Sequence, residues 1–463
     1  WTGTGSARSI TGYNFSPDFV WIKQRNSSSN YHNLFDIVRG SAKALYSNDT
    51  LSEQTNANTL SAFNSDGFTV GTDGAVNGSS GSYIAWAWDG GSSTVTNTDG
   101  SLNSSSYDQS QTWSSYLTSS TGSFYSNQGA DKAFNGDFST QAEPSSTGGT
   151  LTFTPTSAIT FNSTVEVMSG GNDRNVSFNS GTAVSTGTAN TFKTVASGGG
   201  TLTTLSISKS GDWPIFKGIR IDGKILLDSG ITQPNIPSIA STVRANPTAG
   251  FSIVSYTVGN NTAQTVGHGF NAAPSMIIVK ERNFSNNWQV YHSSLGNTNY
   301  LMLSSTNASA SNNLWNNISP TNSVFSIRSG GSAQFWDGKN QIAYCFAPVE
   351  GYSAFGSYAG NGSTDGTFVY TGFRPRWLLI KNAEDAGNYW WIIDSKRSSY
   401  NNDYAALFAN VSNAENNTSA VGVDILSNGF KSRTSDGGVN PGTGSTVIYA
   451  AFAENPFSLA RAR

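Results

Sequence analysis

Phe15-Ser16-Pro17-Asp18-Phe19-Val20-Trp21-Ile22-Lys23 decides how this chain is read, because its pattern returns twice. It recurs as Phe270-Asn271-Ala272-Ala273-Pro274-Ser275-Met276-Ile277-Ile278-Val279-Lys280 and as Phe373-Arg374-Pro375-Arg376-Trp377-Leu378-Leu379-Ile380-Lys381. In each, Pro precedes Lys by six residues, an apolar run lies between, and a glycine (Gly12, Gly269, Gly372) comes before. Twelve or thirteen residues beyond the Lys stands Asp36, His292 or Asp394. Short runs follow at Ala44–Asn48, Tyr300–Ser304 and Ala406–Asn410, then in the outer copies at Asp66–Val70 and Asn428–Ser432. Each copy closes on an aromatic–alanine run: Tyr83–Trp88, Ile342–Ala347 and Ile448–Ala453. From the Lys to the last aromatic is 65, 66 and 71 residues. Matches in one order at near-equal spacing define an internal repeat.

Runs of β-branched and aromatic residues bounded by Gly, Asn and Ser clusters predict strands, and their close spacing predicts sandwiches rather than βαβ units. Val20-Trp21-Ile22 and Trp377-Leu378-Leu379-Ile380 are apolar without alternation, as strands covered on both faces are. Composition agrees. Among 463 residues only 12% are charged, against about 25% in an ordinary soluble domain. Gly occurs 49 times and aromatics reach 12%, which suits short strands with many turns and excludes a disordered chain.

Between the first two copies, residues 101–240 have a different character. Strands are predicted at Leu151–Phe153, Thr164–Val167, Val176–Phe178, Phe192–Val195, Leu202–Ile207 and Phe216–Ile221. A polar run from Thr94 to Ser106 precedes this segment, and Pro234, Pro237 and Pro247 mark its exit. It reads as a separate β-domain inserted in a surface loop.

The repeat resembles one found in structural proteins of tailed phages, particularly of marine and cyanobacterial hosts. Phe15–Lys23, His32–Asp36, Val38–Gly40, Asp66–Phe68, Tyr83–Trp88, Arg244–Val254 and Phe452–Phe457 carry that likeness. The insert is similar to galactose-binding-like (discoidin-type) modules of phage fibres through Gly122–Tyr125, Ala130–Gly136 and Ile219–Gly230. The fold expected is thus all-β, with several small β-sandwich-like domains in tandem: three divergent repeats and a jelly-roll-like insert. Copy 1 spans 1–92 and, with the chain opening on Trp1, is expected to be N-terminally incomplete. A polar linker at 93–106, the insert at 107–232, a linker at 233–248, copy 2 at 249–350 and copy 3 at 351–463 follow. The resemblance implies a virion surface protein, a tail or capsid fibre component. Its partners would be other virion subunits, further copies of itself as a trimer, and a host-surface glycan. A purely structural capsid-decorating or tail-connecting role is the alternative, with a surface-polysaccharide depolymerase ranked behind it.

The net charge of −3, with no basic run, excludes sequence-independent nucleic-acid binding. The longest apolar stretches fall short of the roughly 20 residues of a membrane helix. Cys345, alone and within Ile342–Phe346, is expected to be a buried small hydrophobe. His32, His268 and His292 show no metal-ligand spacing, no Gly-x-Ser-x-Gly elbow occurs, and no carboxylate pair is singled out for glycoside hydrolysis. The expectation is a non-enzyme without cofactor. Lys23, Lys280 and Lys381 are expected to pack their stems and extend their ammonium groups to water or to a carboxylate such as Asp36 or Asp394. The glycan-binding candidates lie in the insert. Trp113, Tyr125 and Trp213 could stack on a sugar ring, and Asp131, Asn135 and Asp137, close together in a turn, could hold hydroxyls or a Ca²⁺.

Overall fold

Each Lys-ended run forms a long strand: Phe19–Gln24, Met276–Glu281 and Pro375–Asn382. The computed structural model describes residues 1–96, 106–107, 110–229, 231, 237–259, 263–269, 272–329, 335, 337–397, 405–416, 422–442 and 444–456. Most of the polar linker, Gly230, Pro234, the 232/233 boundary, Phe270, Asn271 and Phe457 lie outside these residues. Two compact units emerge, Trp1–Thr96 with Ser241–Gln264 and His268–Arg463, and Asn97–Ala240 with Thr265–Gly267. The fold is all-β, as expected.

In the first unit the three copies repeat one large antiparallel sheet. The Lys strand pairs on one side with a second strand, Asn33–Asp36, Gln289–His292 or Trp391–Asp394, and through it with a third, Lys43–Tyr46, Asn299–Met302 or Ala406–Phe408. On its other side lies the closing strand: Tyr83–Trp88, Asn340–Phe346 or Thr446–Ala453. In copies 2 and 3 a flanking strand, Phe251–Thr257 or Ser353–Ala359, pairs with the closing strand. Small three-stranded sheets accompany copies 1 and 3, built on Gly67–Val70 and Gly429–Ser432.

Side chains alternate across a strand, so each large sheet has two faces to cover. One faces the copy's own small sheet: Val20, Ile22 and Phe35 meet Leu60, Phe68 and Val70 in copy 1, and Leu378, Ile380 and Ile393 meet Val369, Ile425 and Phe430 in copy 3. The other face joins a single core drawn from all three copies, including Phe19, Trp21, Trp88, Met276, Tyr344, Phe346, Trp377, Leu379 and Phe452. Trp88 is its hub, with ring contacts to Phe19 (5.3 Å), Phe346 (6.3 Å), Trp377 (5.5 Å) and Phe452 (5.7 Å). The unalternated apolar runs have this cause. The copies therefore share a core rather than standing as separate beads.

Polar contacts close the ring of copies. Asp36, at the end of a second strand, accepts Tyr344 O–H of copy 2 (2.7 Å) as well as the backbone N–H (2.8 Å) and guanidinium of Arg39. Asp394 accepts Trp86 Nε1–H of copy 1 (3.1 Å) and Arg397 Nε–H (2.6 Å). In copy 3 Ala450, with no polar side chain, holds the closing-strand position of Trp86 and Tyr344, and His292 Nε2 lies 3.3 Å from the adjoining Tyr449 carbonyl. The drift from Asp to His follows the partner. Likewise Trp288 Nε1 donates to the Tyr46 carbonyl (2.7 Å) and Trp390 Nε1 to that of Met302 (3.0 Å), each reaching into the preceding copy. Two junctions carry an Arg–Glu–Arg group, Arg39–Glu53–Arg282 and Arg397–Glu415–Arg25. The third has Leu295 and Ala383 at the corresponding positions, packed on the common core.

The insert is a sandwich of two five-stranded sheets. One contains Thr164–Ser169 between Phe192–Ser197 and Phe216–Ile221; the other contains Leu205–Ser208 between Thr150–Phe153 and Asn175–Phe178. Leu202–Ile207, expected as one strand, is broken. Asn179 Oδ1 accepts the N–H groups of Thr203 (2.8 Å) and Thr204 (3.1 Å), turning the chain between Gly200–Leu202 and Leu205–Ser208.

Candidate functional site

Strand ends gather several insert loops at one end of the sandwich. Ser119, Leu151, Ser208 and Asn175 adjoin through neighbouring pairings, so the loops following Ser119, preceding Thr150, following Ser169 and following Ser208 share that end. Tyr125 belongs to it. Its N–H donates to the Glu143 carbonyl (2.9 Å), and the residue is 51% exposed. Beside it the Gln141 amide donates to Gln128 Oε1 (3.0 Å) and Glu143 Oε2 (2.8 Å), forming a row of amide and carboxylate groups. Gly170 lies against that row: a Cβ there would come within 2.7 Å of Gln141 Oε1 and 2.9 Å of Lys217 Cε.

Trp213 lies on the adjoining loop. Its carbonyl accepts Arg174 Nε–H (2.9 Å), and Arg174 pairs with Asp212 (2.9 Å). The Trp213 ring is half-buried and its Nε1–H is buried without a protein hydrogen-bond partner. Lys217 Nζ donates to the Phe138 carbonyl (2.8 Å), and burial pushes its pKa down, opposed by Asp137.

The sequence candidates thus divide. Tyr125 and Trp213 sit on the loop end. Trp113 is 4% exposed, in the sandwich core against Tyr116 and Phe153, so its ring faces are not offered to a sugar. Asn135 and Asp137 are engaged within their own turn. Asn135 Oδ1 accepts Asp137 N–H (2.9 Å), its Nδ2 donates to Thr140 Oγ1 (2.9 Å), and Asp137 Oδ1 accepts from Ser139 N–H and O–H. Asp131 pairs with Lys132 (2.8 Å). Among the described residues no group of three or more His, Cys, Asp or Glu is placed to hold an ion. Gln128, Gln141, Glu143 and Arg174 carry no sequence signal, because the first three come together only through the folding of the long connection between Ser119 and Thr150, and Arg174 lies on a separate loop after Ser169.

The repeated lysines correct an expectation. All three are buried, and their ammonium groups reach backbone carbonyls rather than water, Asp36 or Asp394. Lys23 donates to the carbonyls of Gln24, Ser27, Asn30 and, from copy 3, Ser412, at 2.9–3.0 Å. Lys280 donates to Glu281 (2.9 Å) and, from copy 1, Thr50 (3.1 Å); Lys381 donates to Asn382 (2.6 Å). Burial pushes each pKa down to about 8. They hold loops and copies together. Cys345 is buried in the copy 2 closing strand, and burial pushes its thiol well above the ordinary range.

No curated protein matches this sequence. Among solved structures the chain is similar to one described as "Truncated AlyQ with CBM32 and alginate lyase domains", at 11% identity over 73% of this chain and 97% of that one. With a TM-score of 0.18, that likeness carries no argument. A family model matches residues 1–126 and 227–456, with its interruption inside the insert. This match covers well over half of the sequence, and the chain belongs to the family described as "Domain of unknown function (DUF7483)".

Proposed function

We propose that the protein is a non-enzymatic virion surface component whose three-copy body carries the insert, and that the insert's loop end takes a host-surface glycan. One observation carries the glycan reading: exposed Tyr125 stands beside the Gln128–Gln141–Glu143 row. Sugar sites combine an aromatic face for the apolar side of a pyranose with fixed amide and carboxylate groups for its hydroxyls. Trp213, with an unpaired buried indole N–H, and the Arg174–Asp212 pair extend the same chemistry. The virion setting rests on the resemblance of the repeat, as does assembly into a homotrimer with other virion subunits.

The test is a glycan array probed with the whole chain, beside Tyr125→Ala and Gln141→Ala. Binding that both variants weaken at least about tenfold, the worth of roughly 1.4 kcal/mol, supports the reading. An array blank across host-surface sugars, or binding that neither change affects, overturns it. Incubation with host polysaccharide and a reducing-end assay tests the non-enzymatic part; released reducing ends would overturn it.

A further inference from the structure

The three copies share their framework but differ where the chain enters the second strand. Tyr389, Trp391 and Phe408 of copy 3 stand where copy 1 has Tyr31, Asn33 and Tyr46, and where copy 2 has Asn287, Gln289 and Met302. Copy 3 alone places three aromatic rings there. Tyr389 leans on Phe408 with centroids 4.7 Å apart, and Trp391 meets Phe408 edge-on at 4.6 Å.

A neighbouring turn differs in step. Asp73-Gly74-Ala75-Val76-Asn77 in copy 1 and Asp436-Gly437-Gly438-Val439-Asn440 in copy 3 each follow the small sheet and fold alike. In each, the Asp side chain accepts the N–H two residues on (2.7 and 2.8 Å) and the Asp carbonyl accepts the Asn N–H (2.8 and 2.7 Å). The Asn amide then donates to the carbonyl six residues back (2.8 and 2.9 Å). Two differences stand out. Gly438 replaces Ala75, and a Cβ there would fall 2.3 Å from Trp391 Nε1, so the indole needs the glycine. Asp73 Oδ2 accepts from Asn56 Nδ2 (2.7 Å), whereas Asp436 Oδ2 has no partner among the described residues.

The three rings and Asp436 line a pocket of about 330 Å³, together with Asn388, Asn413 and Asn416. Trp391 is 4% exposed, and its Nε1–H is buried without a hydrogen-bond partner. A buried donor left unpaired costs stability, and an oxygen of an entering ligand would satisfy it. Among the described residues the lining has one carboxylate and no Lys, Arg or His, which disfavours an anion. The volume stands at the lower end of small-molecule sites, about 300–1,000 Å³, and suits one or two sugar rings.

We propose that this pocket is a second carbohydrate site, on the three-copy body, for an uncharged pyranose. The apolar face of the sugar rests on Tyr389, one hydroxyl accepts from Trp391 Nε1–H, and another donates to Asp436 Oδ2. The asparagine amides serve the remaining hydroxyls. The ligand class is the one proposed for the insert, but no residue is shared and copy 3 belongs to the other compact unit, so either site can fail alone.

The test follows the indole N–H resonances of the isotopically labelled whole chain during titration with methyl glycosides of glucose, galactose, mannose and N-acetylglucosamine. The Trp391 resonance, identified by its absence from Trp391→Phe, should move saturably with at least one of them. Asp436→Asn keeps an oxygen for Gly438 N–H, yet it should weaken the response at least about tenfold, as should Tyr389→Ala. Tyr125→Ala should leave the response unchanged. Where either pocket variant fails to fold, Asn413→Ala, at an exposed position, takes its place and should weaken the response at least about threefold. A Trp391 resonance that no sugar moves, or a response that survives the pocket substitutions, overturns the proposal. Loss of the response in Tyr125→Ala also overturns it, by placing the sugar on the insert.

Discussion

Removing Asp36 should loosen the whole ring of copies, although the residue touches only one junction. Its carboxylate and the Arg39 side chain are both fully buried. In an Asp36→Ala variant Arg39 keeps the Lys43 and Leu34 carbonyls and a 3.4 Å contact with Glu53, while Tyr344 O–H loses its 2.7 Å acceptor. Breaking one side of a buried ion pair costs about 3–5 kcal/mol. Cys345, in the neighbouring copy and fully buried, offers the assay. Where reclosing outpaces labelling, its rate of modification by an aromatic disulfide follows the population of opened molecules. At 1.36 kcal/mol per decade, the loss should speed labelling roughly 160- to 4,700-fold. Tyr125→Ala, exposed on the insert, should leave the rate unchanged. A less than threefold change for Asp36→Ala would refute a copy 2 strand held through copy 1.

Further predictions concern the hub, the histidines and the insert. Trp88→Ala, removing the ring that meets five aromatic rings of three copies, should cost about 3–5 kcal/mol in urea unfolding; a loss below 1 kcal/mol contradicts the shared core. Burial lowers the pKa values of His268 and His292 to about 4. Between pH 4 and 6.5 the unfolded chain therefore binds more protons, so this stability is present above pH 6.5 and lost as pH falls towards 4, by about 3 kcal/mol per histidine. His292→Gln should flatten the acid limb of a urea-midpoint profile by one proton's worth, and an unchanged slope would contradict the assignment. In the insert, Trp113→Ala should lower the melting temperature of the insert transition, whereas Tyr125→Ala should leave it in place, as calorimetry can distinguish.

Much of this organisation is legible in the sequence because the repeats obey local rules. The Lys strands, the closing aromatic–alanine strands and the glycine-led strands at Gly67 and Gly429 all fall where composition places them. Copy 2 hides its counterpart, Val324–Arg328, because Val324 stands where the outer copies have a glycine. Continuous apolar runs reveal that both faces are covered, but not that one cover comes from two other copies. That is a property of closure, with no local signal. The lysines mislead for a related reason: an ammonium among carbonyls of turns and of another copy looks, in sequence, like one bound for water. The loop-end row of the insert is similarly silent, since Gln128, Gln141 and Arg174 are ordinary surface types until the fold gathers them.

The most direct test of the closed three-copy body is differential scanning calorimetry of the whole chain beside Trp88→Ala and Asp36→Ala. The body should melt in one cooperative transition whose calorimetric and van't Hoff enthalpies agree, separate from that of the insert. Both substitutions should shift that transition as a unit. Separate transitions for the three copies, with only copy 1 responding to Asp36→Ala, would contradict it.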